Sequence, residues 1–360
     1  MNFVKIPNIN DAWDKVKIET LSPSVFSWIS SGCSYQALLQ KALKVFNNDS
    51  YFLPTPKNAI LGTIIHSIYE LTAKGELSTM QEMVDKWEEL IEKQSNILIR
   101  KYPTISRPDL NNYDKRNKAI RYALALASRG SASTTPDNNI ITLPEERIEC
   151  QDIGLIGVID KLVIDNDQID IIDYKSGAVT DENGNIKEDY VVQLHLYAAM
   201  CTHKKLGEIH SLKLIDINGE VYGVPYDEQR AQQLLVDVQN SISRLNKALE
   251  DRDFDGLINP DAERCCYCSC RHICKRRIQS SDSPYKTISG KVESIPSSNV
   301  YMLNDGQSKY CISGLDVYQV ANQDRYIGKE LVFVNVARSS NLADDFTFKI
   351  TANTLVYELE

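Results

Sequence analysis

Several familiar signals are missing from this sequence, and each absence removes a class. It has no run of about 18 apolar residues and no signal-peptide pattern in Met1–Thr20, so a chain working in the cytoplasm is expected. It has no phosphate-cradling GxxxxGK[ST] loop and no internal repeat, which argues against a nucleotide motor and a solenoid. It also lacks excess positive charge: 40 Lys and Arg face 49 Asp and Glu, for a net charge of −9. That balance excludes a uniformly basic surface but leaves room for a local basic groove.

What is present suits a globular protein with a sizeable core. The 360 residues are 42% hydrophobic and 25% charged, and the length favours two or three structural units. Five of the nine cysteines fall between Cys265 and Cys274. In a chain without secretion signals such crowding reads as metal or cluster ligation, not as a disulfide framework.

The most informative stretch runs from Gly154 to Gly177. Its β-branched runs predict two strands, Leu155–Asp165 and Gln168–Tyr174, around an Asn166-Asp167 turn. With a two-residue loop, Asp165 pairs with Gln168, and the same register sets Asp160 opposite Asp173. Residues two apart share a strand face, so Lys175 joins Asp173 there. Directly opposed carboxylates repel, and a divalent cation with oxygen ligands would convert the repulsion into binding.

Around the hairpin, Ser22-Pro23 predicts a helix start, with Ser22 as N-cap. Ala59–Lys74 predicts a helix that stacks Gly62, His66 and Glu70 on one face. Ser78 with Gln81 resembles a capping box for a helix to about Arg100. Further helices are expected at Tyr113–Arg129, Glu188–His203 and Asp227–Asp251, with a strand at Arg147–Gln151, a strand pair around Asn218-Gly219 and loops at Gly130–Asn139 and Thr180–Lys187. On the Glu188–His203 helix, Gln193 and Tyr197 share a face. After a Ser280–Pro284 linker, short alternating runs predict a small all-β barrel or sandwich over residues 285–360. The Arg264–Arg277 element carries the cysteines and five cations, Arg264, Arg271, Lys275, Arg276 and Arg277.

Taken in order, Gly62–Glu70, Gly157–Asp160, Asp173–Gly177 and Gln193–Tyr197 resemble the four motifs of the RecB-like group of PD-(D/E)xK nucleases. Within it the chain is similar to the iron–sulfur enzymes: exonuclease V, the AddB nuclease domain and CRISPR-associated spacer-acquisition nucleases. The resemblance covers roughly residues 22–277. It implies an α/β restriction-endonuclease-like core, a mixed central sheet flanked by helices. A helical N-terminal part completes a nuclease domain over 1–280, and a C-terminal barrel of OB or SH3 type follows. By the resemblance, His66, Asp160, Asp173 and the Tyr174 carbonyl hold Mg²⁺ or Mn²⁺. Lys175, Asp173 and Asp160 are then catalytic, and Gln193 and Tyr197 orient the phosphate or the lysine. The bland alternatives stay open: His66 and Tyr197 as core residues, Glu70 as solvated helix charge, His195 and His203 as structural.

Cys33, Cys265, Cys268 and Cys274 match the family's cluster cysteines, implying a 4Fe–4S cluster that joins the two ends of the nuclease domain. Ser34 stands where relatives often have proline, Cys266 and Cys270 are spare, and tetrahedral zinc would suit four cysteines as well. The implied activity is metal-dependent hydrolysis of DNA phosphodiesters, as an exonuclease on single strands, in repair, recombination or defence. A separate helicase or other partner would supply unwound DNA. The five cations suggest a phosphate-binding stripe, and Tyr285, Tyr301, Tyr310 and Tyr318 are available for base stacking on the barrel. The alternatives are an RNA nuclease, or a structural or DNA-binding subunit that keeps the nuclease fold.

Overall fold

The computed structural model describes residues 2–102, 104–105, 108–132, 140–278, 283, 285–339 and 346–360, with backbone alone at 129–132. A short strand β1 (Val4–Ile6) precedes five helices: α1 (Pro23–Ser30), α2 (Tyr35–Val45), α3 (Lys57–Ala73), α4 (Met80–Lys101) and α5 (Tyr113–Ala132). Three strands follow, β2 (Ile140–Cys150), β3 (Leu155–Asp165) and β4 (Gln168–Lys175), then α6 (Glu188–His203), β5 (Glu208–Asp216), β6 (Val221–Val224), α7 (Glu228–Asp251) and α8 (Ala262–Tyr267). The C-terminal strands are β7 (Tyr285–Ser297), β8 (Val300–Asn304), β9 (Lys309–Ser313), β10 (Glu330–Arg338), β11 (Thr347–Lys349) and β12 (Leu355–Leu359).

The helix ends follow local chemistry. The Ser22 hydroxyl accepts from the Val25 amide at 3.2 Å and Pro23 opens α1, as expected. The box on α4 lies one residue beyond the expected one. Thr79 caps it and the Glu82 carboxylate accepts from the Thr79 and Ser78 amides at 3.0 and 2.9 Å. A charged acceptor satisfies those amides better than the Gln81 side chain would.

One sheet has the order β2-β3-β4-β5-β6, parallel only between β4 and β5. Parallel neighbours need a crossover, which α6 supplies. The β3–β4 hairpin has the expected register, from Asp165↔Gln168 to Lys161↔Ile172, with Asn166 in the left-handed region at φ 53°. β2 begins seven residues earlier than the strand expected at Arg147, because its first half is only partly buried and shows no apolar alternation. Gly130, Ser131 and Ala132, expected to open the 130–139 loop, instead extend α5; the rest of that loop and most of the 280–284 linker lie outside the described residues.

In the second sheet β7, β8, β9, β11 and β10 form a closed ring of five strands, since β10 pairs with both β11 and β7. β12 and β1 extend it, with Val4–Ile6 parallel to Tyr357–Leu359. The N-terminal residues, silent in sequence, are therefore part of the barrel sheet. Strand β10 is apolar on both faces. Leu331 and Phe333 enter the barrel core, while Val332 and Val334 pack in one cluster with Leu61 and Ile64 of α3. The barrel thus shares a core with the helical part.

Candidate active site and cysteine cavity

The β3–β4 ladder stops one pair short of Asp160 and Asp173. There the Asp160 carboxylate takes the Tyr174 amide through Oδ2 at 2.7 Å, a side chain replacing a ladder partner. The strands splay and open a notch, which α3 covers. Gly62 allows the approach: a Cβ there would stand 3.2 Å from Ser176 Oγ. Four residues on, His66 sets Nδ1 3.2 Å from Asp160 Oδ1 and Nε2 3.1 Å from the Tyr174 carbonyl. Burial pulls His66 down, but hydrogen bonds to Asp160 and Glu145, with the charges of Asp160 and Asp173, hold it up at about 10.

Glu145 was not anticipated. It lies on β2, its Oε1 3.7 Å from His66 Nδ1, and it forms with His66 and Asp160 a trio whose ligand atoms lie within 4.8 Å of one another. The β2–β3 register pairs Pro144 with Lys161 and Glu146 with Ile159, which sets Glu145 opposite Asp160. Starting the strand at Arg147 hid that relation.

On the other side of the notch, Asp173 is 3% exposed, with Oδ2 2.7 Å from the Lys175 ammonium. Burial and the Asp160 charge push its carboxyl up, against the pull of Lys175 and His66. Gln193 ties the group together: Lys175 Nζ donates to its Oε1 at 2.9 Å, and its Nε2 donates to Asp173 Oδ1 at 3.1 Å and to the Tyr197 hydroxyl at 3.3 Å. Tyr197 in turn donates to the Val158 carbonyl at 2.7 Å. Gly157 makes this possible, because a Cβ there would sit 2.9 Å from Tyr197 Cε1 and 3.0 Å from Pro23 Cδ. Tyr190, also unforeseen, lies beneath Lys175, its ring centre 4.3 Å from the ammonium.

The structure therefore brings His66, Asp160, Asp173, Tyr174, Lys175, Gln193 and Tyr197 together. Glu70 is instead ion-paired with Lys74. His195 is buried and bonded to Val191 and Asp227, and His203 pairs with Asp152 at 2.7 Å.

The second constellation is a cavity lined by Cys33, Cys265, Cys268 and Cys274, between α1–α2 and the segment around α8. Cys274 is pushed up to about 11 by burial, with Cys268, Cys33 and Cys265 among the neighbours that add to it. A hydrogen bond with Cys270 draws Cys268 down to about 7 despite burial, with the Arg271 charge assisting. The spare cysteines separate by position. Cys270 is fully buried, 3.9 Å from the Gln36 carbonyl, and Cys266 lines a different groove, with Lys57 and Tyr285.

The five cations do not form a continuous stripe. Arg271 bonds to the Cys268 carbonyl and Asn335, and Arg277 to the Cys274 and Thr287 carbonyls and Ser289. Both thereby latch the cysteine segment to the barrel. Arg264 lies over Trp28 and reaches Ser31, and Arg276 pairs with Asp255 at 3.1 Å. Lys275 and Arg276 are the exposed pair. Of the four tyrosines, Tyr301 and Tyr318 are core, Tyr310 bonds to Asp305, and Tyr285 is half exposed.

No helix among the described residues is long and apolar enough to cross a membrane. No curated protein matches the chain. Among solved structures it is similar to a candidate exonuclease from Eubacterium rectale, at 13% identity and a TM-score of 0.39, covering 74% of this chain and 91% of that one. SSO0001 matches at 18% identity and a TM-score of 0.22, over 46% and 79% of the two chains. Likenesses this distant carry no argument. The family model for the PD-(D/E)XK nuclease superfamily matches residues 20–275, a span that holds every motif residue of both constellations. By that match the chain belongs to the PD-(D/E)XK nuclease superfamily.

Proposed function

We propose that this nuclease is a metal-dependent deoxyribonuclease acting on single strands, and that the cysteine cavity holds a 4Fe–4S cluster. The observation that carries the first part is the Lys175 ammonium, held between Asp173 and Gln193 beside the His66–Asp160 pair. An imidazole with carboxylates suits Mn²⁺ or Mg²⁺. Such a cation, when bound, supplies positive charge to the phosphate and lowers the pKa of a nearby water. Lys175 positions the attacking water and faces the negative charge that builds on phosphorus. Gln193 fixes the ammonium, and Tyr197 anchors Gln193 to β3, so both act through Lys175.

For the cluster, the support is convergence: the four thiols that line one cavity are those of the family pattern, and of the two spare thiols Cys270 lies behind Cys268, to which it is hydrogen-bonded, while Cys266 is not among the lining residues. A single zinc with Zn–S bonds of about 2.3 Å draws its sulfurs to about 3.8 Å from one another. A 4Fe–4S cluster takes the same four thiolates, and the family pattern decides between the two. The closed five-strand ring fits an OB-type barrel. Nucleic-acid contact is assigned to the exposed Lys275 and Arg276 and to Tyr285, with Arg264, Arg271 and Arg277 as supports.

The test is cleavage of end-labelled single-stranded DNA, duplex DNA and RNA by anaerobically purified protein with Mn²⁺ or Mg²⁺, beside Lys175→Ala. Shortening of single-stranded DNA by the parent alone is expected. Preference for RNA overturns the substrate, and cleavage by Lys175→Ala overturns the site. Zinc in place of iron and sulfide in the purified protein overturns the cluster.

A further inference from the structure

We propose that the C-terminal barrel is a wall of the cysteine site: Asn335 on β10 and Ser289 on β7 hold Arg271 and Arg277 so that the cysteine segment keeps its bound metal. This rests on the reading of the cysteines as metal ligands and not on cleavage.

The segment needs a hold from outside. After α8 its backbone is built of turns as far as Arg276, without a ladder to fix the Cys268 and Cys274 carbonyls. Two arginines supply the hold. Arg271 Nη1 donates to the Cys268 carbonyl at 3.0 Å, and Arg277 Nη1 to the Cys274 carbonyl at 2.9 Å. The second nitrogen of each fork crosses to the barrel. Arg271 Nη2 donates to Asn335 Oδ1 at 3.2 Å, and Arg277 Nη2 to Ser289 Oγ at 2.8 Å and the Thr287 carbonyl at 3.3 Å. Between them His272 is fully buried, its Nε2 2.7 Å from the Tyr51 carbonyl and its ring centre 5.0 Å from that of Tyr357 on β12. Strands β7, β10 and β12 thus all meet the segment that carries Cys268 and Cys274.

Asn335 is shaped for its contact. The β10–β7 register runs from Val334↔Thr287 to Val336↔Lys286, which leaves Asn335 as an extra residue, a bulge, in the left-handed region at φ 65°. Bulges re-aim a side chain, and asparagine bears that conformation better than most residues. Its carbonyl accepts from the Thr351 and Thr354 hydroxyls, both at 2.9 Å, and its Nδ2 donates to the Asn353 carbonyl at 3.1 Å. With the amide nitrogen committed, Oδ1 is left to face Arg271.

Charge gives the arrangement its use. Four thiolates leave the site anionic whether it holds a 4Fe–4S core or zinc. Arg271 and Arg277 both line the cavity, and a guanidinium can face that charge while its fork bridges two backbones. Freeing either arginine withdraws a positive charge and a carbonyl anchor together.

The experiment follows release of metal from the anaerobically purified full chain into excess chelating dye. It compares the parent with Asn335→Gly, Ser289→Ala, the two combined, and Asn335→Asp. Glycine keeps the left-handed backbone, and every variant keeps both arginines. Release about tenfold faster is expected from the combined variant, the lower end of what outer partners of metal sites contribute. Asn335→Asp should release metal at the parent's rate, because its carboxylate still accepts from Arg271. If the barrel merely adheres to the nuclease unit, Tm falls and release at a fixed temperature stays parental, which overturns the proposal. Equal release from Asn335→Asp and Asn335→Gly overturns it as well. Ser289→Ala, the mildest change, carries the test should the glycine variant not fold. Metal content separates this proposal from the cluster reading. A parent that carries zinc, released faster by the combined variant, defeats the cluster alone. A parent with iron and sulfide, released no faster by the combined variant, defeats the clamp alone. A parent without metal at its cysteines defeats both.

Discussion

The acidic notch draws its side chains from the middle of the nuclease unit, His66 to Tyr197, and the cysteine cavity from its two ends, Cys33 and Cys265–Cys274, and they are built differently. In the notch the donors hold one another: Asp160 grips a backbone amide, Gln193 spans Asp173, Lys175 and Tyr197, and His66 rests on a carbonyl. Behind them Tyr69 and Tyr122 pack edge-on against Tyr174, with centroids 5.0 and 6.1 Å away. In the cavity the thiols come from a bend after α1 and from a segment whose one regular element is the short α8. Its bracing lies around the thiols, through Gln40 to Ser269 and Arg264 to Ser31. The comparison teaches that a site assembled on strands is preorganised by the protein, whereas one assembled on loops is completed by what it binds.

Breaking the first site should therefore remove activity and spare the fold. Lys175→Ala is expected to lower kcat by about 10²–10³-fold or more, the range for loss of one transition-state donor. The buried Asp173 takes up a proton once its partner is gone, so circular dichroism and the visible absorbance of the cysteine site should match the parent.

Breaking the second should do the reverse. Cys268→Ser or Cys33→Ser is expected to bleach the visible absorbance and lower Tm more than any variant of the notch, with lost cleavage as a consequence. Cys266→Ser is the control, because that residue lines another groove, and it should leave both readouts unchanged. Bleaching by Cys266→Ser and not by Cys268→Ser would erase the distinction drawn here.

A smaller effect is expected where the two halves of the nuclease unit meet. Gly157→Ala puts a Cβ against Tyr197 and Pro23, and overpacking of this kind costs about 1–3 kcal/mol. Removing only the hydroxyl, Tyr197→Phe, loses two hydrogen bonds, to Val158 and from Gln193, of about 1 kcal/mol each. Chemical denaturation measures both, and kcat should fall more in the first, where α6 is pushed away from β3 with Gln193 on it.

The contrast also explains what could be read from sequence. The hairpin register was legible because its short turn and β-branched runs admit one register, realised as Asp165↔Gln168, although β4 runs one residue further than expected, to Lys175, and the ladder ends before Asp160 and Asp173 pair. The helices that cover it were legible from period and caps. Glu145 was not, since β2 lacks alternation around it and its orientation depends on a backbone twist that no local pattern encodes. Nor was the pairing of Val4–Ile6 with Tyr357–Leu359, three residues whose partner is at the far end of the chain. The barrel showed in its alternating runs. Its shared core with α3 did not, because an apolar run such as that of β10 has no preferred face until a second element packs on it.

An effect of similar size, on stability alone, concerns two aspartates on one strand. Burial and the Asp160 charge push Asp173 up, whereas Asp170, three residues earlier, is brought down to about 2. Burial of Asp170 acts the other way, but hydrogen bonds from Lys213, Ser211 and His210 outweigh it. A carboxyl depressed in the folded state contributes stability above its unfolded value, near 3.8, and loses it as pH falls through about 2. At about 1.4 kcal/mol per pKa unit, that contribution is about 2 kcal/mol at neutral pH. Asp170→Asn should therefore lower stability at pH 7 by about that amount and flatten the acid limb of the stability curve below pH 4. The notch is untouched, so cleavage at pH 7 should match the parent. An unchanged acid limb would mean that the three donors hold Asp170 no more tightly than water does, and that β4 is charged alike at both ends.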